Sequence, residues 1–242
     1  MSPEAWEAFL QVHHGLPREG PGAPSDVLWA VESIGMHGPV DVLDAGCGPG
    51  ADMVSLADAL PEARITAVDK TAQFIEMAAE RAKPFGSRVE ARVGDMSDPG
   101  GDYDLIWCAG ALYFLGVTEG LQGWGHALKP GGRVVFSEPV IIETPPSAAA
   151  KAFWEEYPQI TDLQGIEDRV TAAGYNVLAH RMIVGDPWQA YYDPMQARID
   201  TLRMQDNSPA VMAAIAESQT EIDRWRAARD EIAYALLITA PA

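Results

Sequence analysis

The stretch Val42-Leu43-Asp44-Ala45-Gly46-Cys47-Gly48-Pro49-Gly50 decides how this chain is read. It closes a short apolar run, Val40–Asp44. It is followed by Ala51–Leu60, whose apolar residues Met53, Val54, Leu56, Ala57 and Leu60 keep a helical spacing as far as Pro61. A glycine-rich turn between a strand and a helix is where a doubly wound sheet takes its ligand, at the carboxyl ends of its strands. Glycine allows the sharp turn and the close approach of backbone to ligand.

The same alternation continues outward. Arg64–Val68 reads as a strand, and Thr71–Lys83 as a helix with Thr71 as its cap and Pro84 beyond its end. Val89–Val93 and Tyr103–Cys108 read as strands, Glu119–Leu128 as a helix and Arg133–Ser137 as a strand. Strands separated by helices of about ten residues predict right-handed crossovers and a parallel sheet covered on both faces. After Pro145-Pro146 the rhythm changes. Ala148–Tyr157 and Thr161–Ala173 read as helices, Val177–Val184 as a strand, Pro187–Arg229 as helix broken at Asn207-Ser208-Pro209, and Ala233–Thr239 as a final strand. The expected organisation is a single α/β domain over residues 1–242. It has an N-terminal helical arm (1–36), a ligand-binding core (40–138) and helical cap segments (146–173 and 187–229) over the site.

The 242 residues hold 17 basic and 35 acidic side chains, a net charge of −18. No segment is a basic patch, so a phosphate backbone or an anionic membrane is repelled; small molecules are the expected partners, not nucleic acid or membrane. Two cysteines, Cys47 and Cys108, make no disulfide framework. The N-terminus has no signal-peptide pattern and no run approaches eighteen apolar residues, so a cytoplasmic chain, monomeric or homodimeric, is expected.

Three acids stand at strand ends. Asp44 precedes the first glycine by two residues, Asp69 ends the second strand, and Asp95 follows the third within Gly94-Asp95-Met96. A carboxylate at Asp69 can accept from both hydroxyls of a ribose. Gly46, Gly48 and Ala51 also satisfy the dinucleotide pattern, which leaves an NAD-dependent oxidoreductase open as an alternative. An acid at position 44, however, suits a cationic group better than a pyrophosphate seated on a helix N-terminus. An acid at 95 can accept from an adenine amino group, with Met96 against the purine face.

These segments, with Asp102-Tyr-Asp104-Leu-Ile-Trp-Cys108 and Leu128-Lys-Pro-Gly-Gly132, resemble the class I S-adenosylmethionine-dependent methyltransferases in order and spacing over roughly residues 40–138. A narrower resemblance covers nearly the whole chain. Leu16-Pro-Arg18-Glu-Gly20-Pro-Gly22, Gly110-Ala-Leu-Tyr113, Phe153-Trp-Glu-Glu-Tyr157-Pro, Ala173-Gly-Tyr175 and Trp188-Gln-Ala-Tyr191-Tyr192-Asp-Pro resemble a group of uncharacterised bacterial small-molecule methyltransferases, loosely similar to quinone-biosynthesis methyltransferases. The resemblance implies a seven-stranded Rossmann-like sheet with its last strand antiparallel. It also implies S-adenosyl-L-methionine as cofactor, with S-adenosyl-L-homocysteine as product. Asp44, Gly46, Cys47, Gly48 and Gly50 are then expected at the methionine end, Asp69 at the ribose, Asp95 and Met96 at the adenine, and Cys108-Ala109 at the amino-acid part. Lys70, beside the ribose acid, departs from the family and either points to solvent or competes for Asp69. Arg18 is expected to close over the cofactor carboxylate or an acidic substrate.

Methyl transfer from a sulfonium is an in-line displacement, so alignment supplies most of the catalysis, and a base is needed only where the accepting atom loses a proton. The candidates for that chemistry are Tyr113, Glu138 and His14, with His13 the alternative of the histidine pair. Two adjacent histidines without a third ligand make a poor metal site, and none is expected. The cap aromatics Trp154, Tyr157, Trp188, Tyr191 and Tyr192 are expected to line the acceptor pocket, with at most one of Tyr191 and Tyr192 facing it, since neighbours on a helix point about 100° apart. A tRNA or protein side chain remains the alternative acceptor.

Overall fold

The computed structural model describes residues 1–242. Two helices, α1 (Pro3–His13) and α2 (Pro24–Ile34), precede the sheet, and β1 (Asp41–Ala45), α3 (Ala51–Ala59), β2 (Arg64–Asp69), α4 (Ala72–Ala82) and β3 (Val89–Val93) form the first crossovers. Then come β4 (Tyr103–Ala109), α5 (Val117–Trp124), β5 (Leu128–Ile141), α6 (Ala148–Phe153), α7 (Leu163–Ala172), β6 (Tyr175–Ile183), α8 (Asp186–Leu202), α9 (Pro209–Ala228) and β7 (Ile232–Pro241). The seven strands form one sheet in the order β3-β2-β1-β4-β5-β7-β6, and β7 runs antiparallel to both its neighbours.

The doubly wound seven-stranded sheet agrees with the expectation. The final strand lies between β5 and β6. Its residues Ile232–Ala240 are all buried, as a strand covered on both faces and both sides must be. Reversal at β1–β4 puts the switch point of the sheet directly above the glycine loop.

Several boundaries move for local reasons. α5 stops at Trp124, before Gly125, and β5 begins at Leu128, so the Lys-Pro-Gly-Gly turn lies inside the strand segment. Lys129 there bonds Asp41 (2.6 Å) and Asp104 (2.8 Å). The aspartate and lysine of these two motifs therefore tie the starts of β1, β4 and β5 together, away from the ligand end. The long helical stretch is broken where Ser208 caps α9 by accepting from the Val211 amide and Pro209 occupies its first turn, which needs no donor.

One face of the sheet is covered by α5 and α7, which share a core with Leu43, Ile106, Cys108, Val134 and Phe136. α7 thus serves as a sheet-covering helix rather than as part of a cap. The other face packs on α2, α3 and α4. That core runs without a break into α1, α8 and α9 through Trp188, Tyr192, Met195, Ile215 and Trp225. α1, α6, α8 and α9 form the cap. No helix is long and apolar enough to cross a membrane.

Candidate active site

The glycine loop holds its shape because two of its positions exclude a side chain. Gly46 has φ +74°, and a Cβ there would stand 2.6 Å from Ala111 Cβ. Gly50, with φ +88°, caps α3 and would meet Met53 and Ala78 at 2.9–3.1 Å. The loop floors a cleft with about 420 Å³ of empty space, part of it open to solvent. Arg18, Glu19, Asp44, Cys47, Asp52 and Ala109 stand among its walls.

Asp44 is buried and its Oδ2 has no hydrogen-bond partner. Burial holds its carboxyl well above the usual carboxylate range, and the neighbouring Asp52 and Asp69 add to the shift. A buried carboxylate beside two others is unfavourable until a cation arrives. Asp69 accepts from the Gly48 amide (3.0 Å) and the Thr71 amide (2.8 Å), so its oxygens face the loop and the start of α4. Lys70 leaves Asp69 alone and lies over the Phe114 ring, 5.8 Å from its centre.

Arg18 is neither solvated nor free. It bonds Asp52 (3.0 Å), with both side chains about one-eighth exposed, and donates to the Gly20 carbonyl. Trp107 Nε1 donates to the other Asp52 oxygen. Arg81 of α4 donates to the carbonyls of Pro17 and Pro49, which seats the N-terminal loop on the glycine loop. Met96 lies against Gly46, and its carbonyl accepts from Trp124. Asp95, at the surface, accepts from the Ser97 amide, which holds its carboxyl below the usual range. Cys47 and Cys108 are buried, and burial pushes both thiols up, which leaves them unreactive.

Of the histidine pair, His14 was the expected base. It caps the end of α1 and is exposed, so it does not reach the cleft. His13 is the buried one: Nδ1 stands 2.6 Å from Glu19 Oε2 and the ring stacks on Phe9. The reason is the helical phase, since Ala8, Val12 and His13 share the face that α1 turns inward.

Beyond the cleft lies a cluster of packed aromatic rings. The Tyr234 ring approaches Gly110, and Trp154 stacks on it at 6.2 Å with Trp188 edge-on at 5.1 Å. Tyr113 meets Tyr157 edge-on at 5.7 Å. Tyr157 donates a short hydrogen bond to Glu138. Glu138 is wholly buried, its Oε2 is unpartnered, and Arg169 stands 3.9 Å from Oε1. Desolvation raises its carboxyl to about 7, against the bond from Tyr157 and the charge of Arg169.

Tyr191 and Tyr192 are both buried, with ring centres 4.8 Å apart. Tyr192 donates to Glu221 and packs between Trp188 and Trp225 inside the cap. Burial raises the Tyr191 hydroxyl, with Glu221, Glu19, Tyr113 and Tyr234 adding to the shift. Trp188 donates to the Ile183 carbonyl and is packing. Glu221, Tyr234, Glu19 and Asp52 were not singled out in the sequence. Two of them left a trace: Glu221 interrupts the apolar stripe Ala214–Ser218–Ile222–Trp225, and Tyr234 is the one ring in an otherwise aliphatic strand. Asp52 reads as an ordinary first-turn acid.

Residues 42–132 match the family model described as a methyltransferase domain. The chain is similar to a trans-aconitate 2-methyltransferase of Streptomyces avermitilis, 29% identical over 78% of this chain and 72% of that one. It is also similar to a trans-aconitate 2-methyltransferase of Mycobacterium tuberculosis, 32% identical over 59% of this chain; the match spans about half (53%) of that relative's length. A crystal structure of a SAM-dependent methyltransferase from Geobacter sulfurreducens, in complex with S-adenosyl-L-homocysteine, covers 98% of both chains with a TM-score of 0.85 at 20% identity. A similar complex from Thiobacillus denitrificans gives 0.83. At these identities the structural likeness establishes the fold.

Proposed function

We propose that this chain, a class I S-adenosylmethionine-dependent methyltransferase, holds its cofactor along the glycine loop and methylates a small molecule among the aromatic rings behind Gly110. The observation that carries this reading is Asp44: a buried carboxylate, unpartnered at Oδ2, in a cleft whose glycines leave room for a ligand against the backbone. A cationic ammonium fits that oxygen, and a pyrophosphate does not.

When bound, S-adenosylmethionine supplies a methyl carbon made electrophilic by its sulfonium. The chain's own part is alignment and water exclusion. Asp44 and the loop amides hold the amino-acid end, Asp69 the ribose, and Asp95 with Met96 the adenine. Arg18, locked to Asp52, keeps the N-terminal loop folded over the glycine loop. The cap rings exclude water from the reacting centre and offer their π faces to positive charge. Glu138 and Tyr113 stand where an accepting atom would lose a proton, and the exposed His14 does not. Trp154, Tyr157, Tyr191 and Tyr234 are the acceptor's walls. The acid-rich surface supports a small acceptor over a nucleic acid, and a chain active as a monomer or homodimer.

Calorimetry tests the cofactor assignment. The expected result is binding of S-adenosylmethionine and S-adenosylhomocysteine, and none of NAD. Tight binding of NAD without S-adenosylmethionine would overturn the reading.

A further inference from the structure

One wholly buried carboxylate, that of Glu138, stands among the aromatic rings with an oxygen that no neighbour meets. Two further acids lie off this cluster: Glu221 is exposed and accepts from Tyr192, and Glu19, partly buried in the glycine-loop cleft against His13, has its second oxygen unpartnered. The basic groups nearby are already engaged. Arg18 is bound to Asp52, His13 to Glu19, and Arg169 donates to the Gln159 carbonyl while standing 3.9 Å from Glu138. Tyr157, bonded to Glu138, meets Tyr113 edge-on, and Tyr234 stacks with Trp154. The groups that face Glu138 are Tyr157 and Arg169, with Cys108, Tyr113 and Tyr234 within electrostatic reach of it.

A carboxylate acceptor beside Glu138 would be a second buried anion, with Arg169 already shared between Glu138 and the Gln159 carbonyl, which is costly. An ammonium would meet both the free Glu138 oxygen and the ring faces. We propose that the acceptor is a small amine, and that Glu138 takes the proton its nitrogen must lose. This rests on the methyltransferase reading above. It sets the chain apart from relatives whose names specify a tricarboxylate.

The proton and charge balance as follows. The amine enters as an ammonium and gives one proton to the Glu138 carboxylate, leaving a neutral nitrogen and a neutral carboxyl. The nitrogen lone pair forms the bond to the methyl carbon as the carbon–sulfur bond breaks, with its pair left on sulfur. The product leaves as a methylated ammonium, and the Glu138 proton passes to water. A carboxyl near 7 is matched to that exchange at neutral pH.

The test uses the full chain and methyl-labelled S-adenosylmethionine, after calorimetry has established that the cofactor binds. The probes are matched sets: benzylamine, benzyl alcohol and benzoate; tyramine, tyrosol and 4-hydroxyphenylacetate; and trans-aconitate. The expected result is label in an amine at least tenfold above its alcohol and acid counterparts. Glu138→Gln should lower kcat by about 100-fold or more. It should also abolish the rise of kcat/KM through about pH 7 and leave cofactor affinity within twofold. Tyr157→Phe, which keeps the ring, should move that rise to higher pH, because the lost hydrogen bond favours the ionised carboxyl. Label confined to an acid or an alcohol, or in no amine while the cofactor binds, would overturn the amine assignment and leave the methyltransferase reading standing. Failure of the cofactor to bind would overturn both.

Discussion

Replacing Asp44 by Asn separates the function of the cleft from its stability, because the two should move in opposite directions. Asp44 is buried, unpartnered at Oδ2 and flanked by Asp52 and Asp69. Asn has nearly the same shape and no charge. In the ligand-free protein the change removes a desolvated anion and its repulsion from two neighbours, a gain of at least about 1 kcal/mol. For a chain of this length that is a rise of about 2–4 °C in Tm. The sign with pH follows from the raised carboxyl. Where folding raises the pKa of an acid, the native state holds the proton longer than the unfolded chain, and stability is lost as pH rises above the unfolded value. The advantage of Asp44→Asn should therefore be absent near pH 3 and grow as pH is raised. With S-adenosylmethionine the order reverses. Loss of a charge-assisted bond to the ammonium costs about 1.5–3 kcal/mol, a Kd weaker by about 10- to 150-fold. Thermal melts from pH 3 to 8, with and without saturating cofactor, read both effects in one series. A variant that melts below the wild type when ligand-free, or that binds cofactor with unchanged affinity, refutes the argument.

Three other outcomes follow from the same geometry. Gly46→Ala should destabilise by about 1–3 kcal/mol and cut cofactor affinity, since its Cβ meets Ala111 at 2.6 Å and the backbone is left-handed; a melt and a titration check it, and an unchanged Tm would mean the loop moves freely. His13→Ala should lower Tm by removing the partner of a partly buried glutamate, whereas His14→Ala should leave it within about 0.5 kcal/mol; equal effects would contradict the burial difference. Glu138 ionises near 7 in the folded chain against 4.5 in the unfolded, so wild-type stability should fall between those values by at most about 3 kcal/mol. Glu138→Gln should flatten that slope in a pH series of chemical denaturations, and a slope that survives the change places the raised group elsewhere.

The cofactor half of the molecule was legible because its signals are local. Asp44, the three glycines and Asp69 lie on consecutive strand ends, and a parallel sheet brings such ends together whatever else the chain does. The helix beginning at Thr71 and the break at Asn207-Ser208-Pro209 were legible for the same reason. The helix signals were weaker where Gly125 stopped α5 early and where α7, read as part of a cap, turned out to cover the sheet.

The proposed acceptor half draws on residues 113, 138, 157, 191 and 234, from separate elements and connections with no common period. Sequence by itself determined that there is a doubly wound sheet and a glycine turn with an acid in it. Tertiary structure alone decided that His13 faces inward and not His14, and that Glu138 meets Tyr157 and Arg169 with one oxygen left free. The physical reason is that a helix or strand fixes the direction of its own side chains, while what they meet depends on how whole elements pack. The charge of a buried carboxyl is set by that meeting.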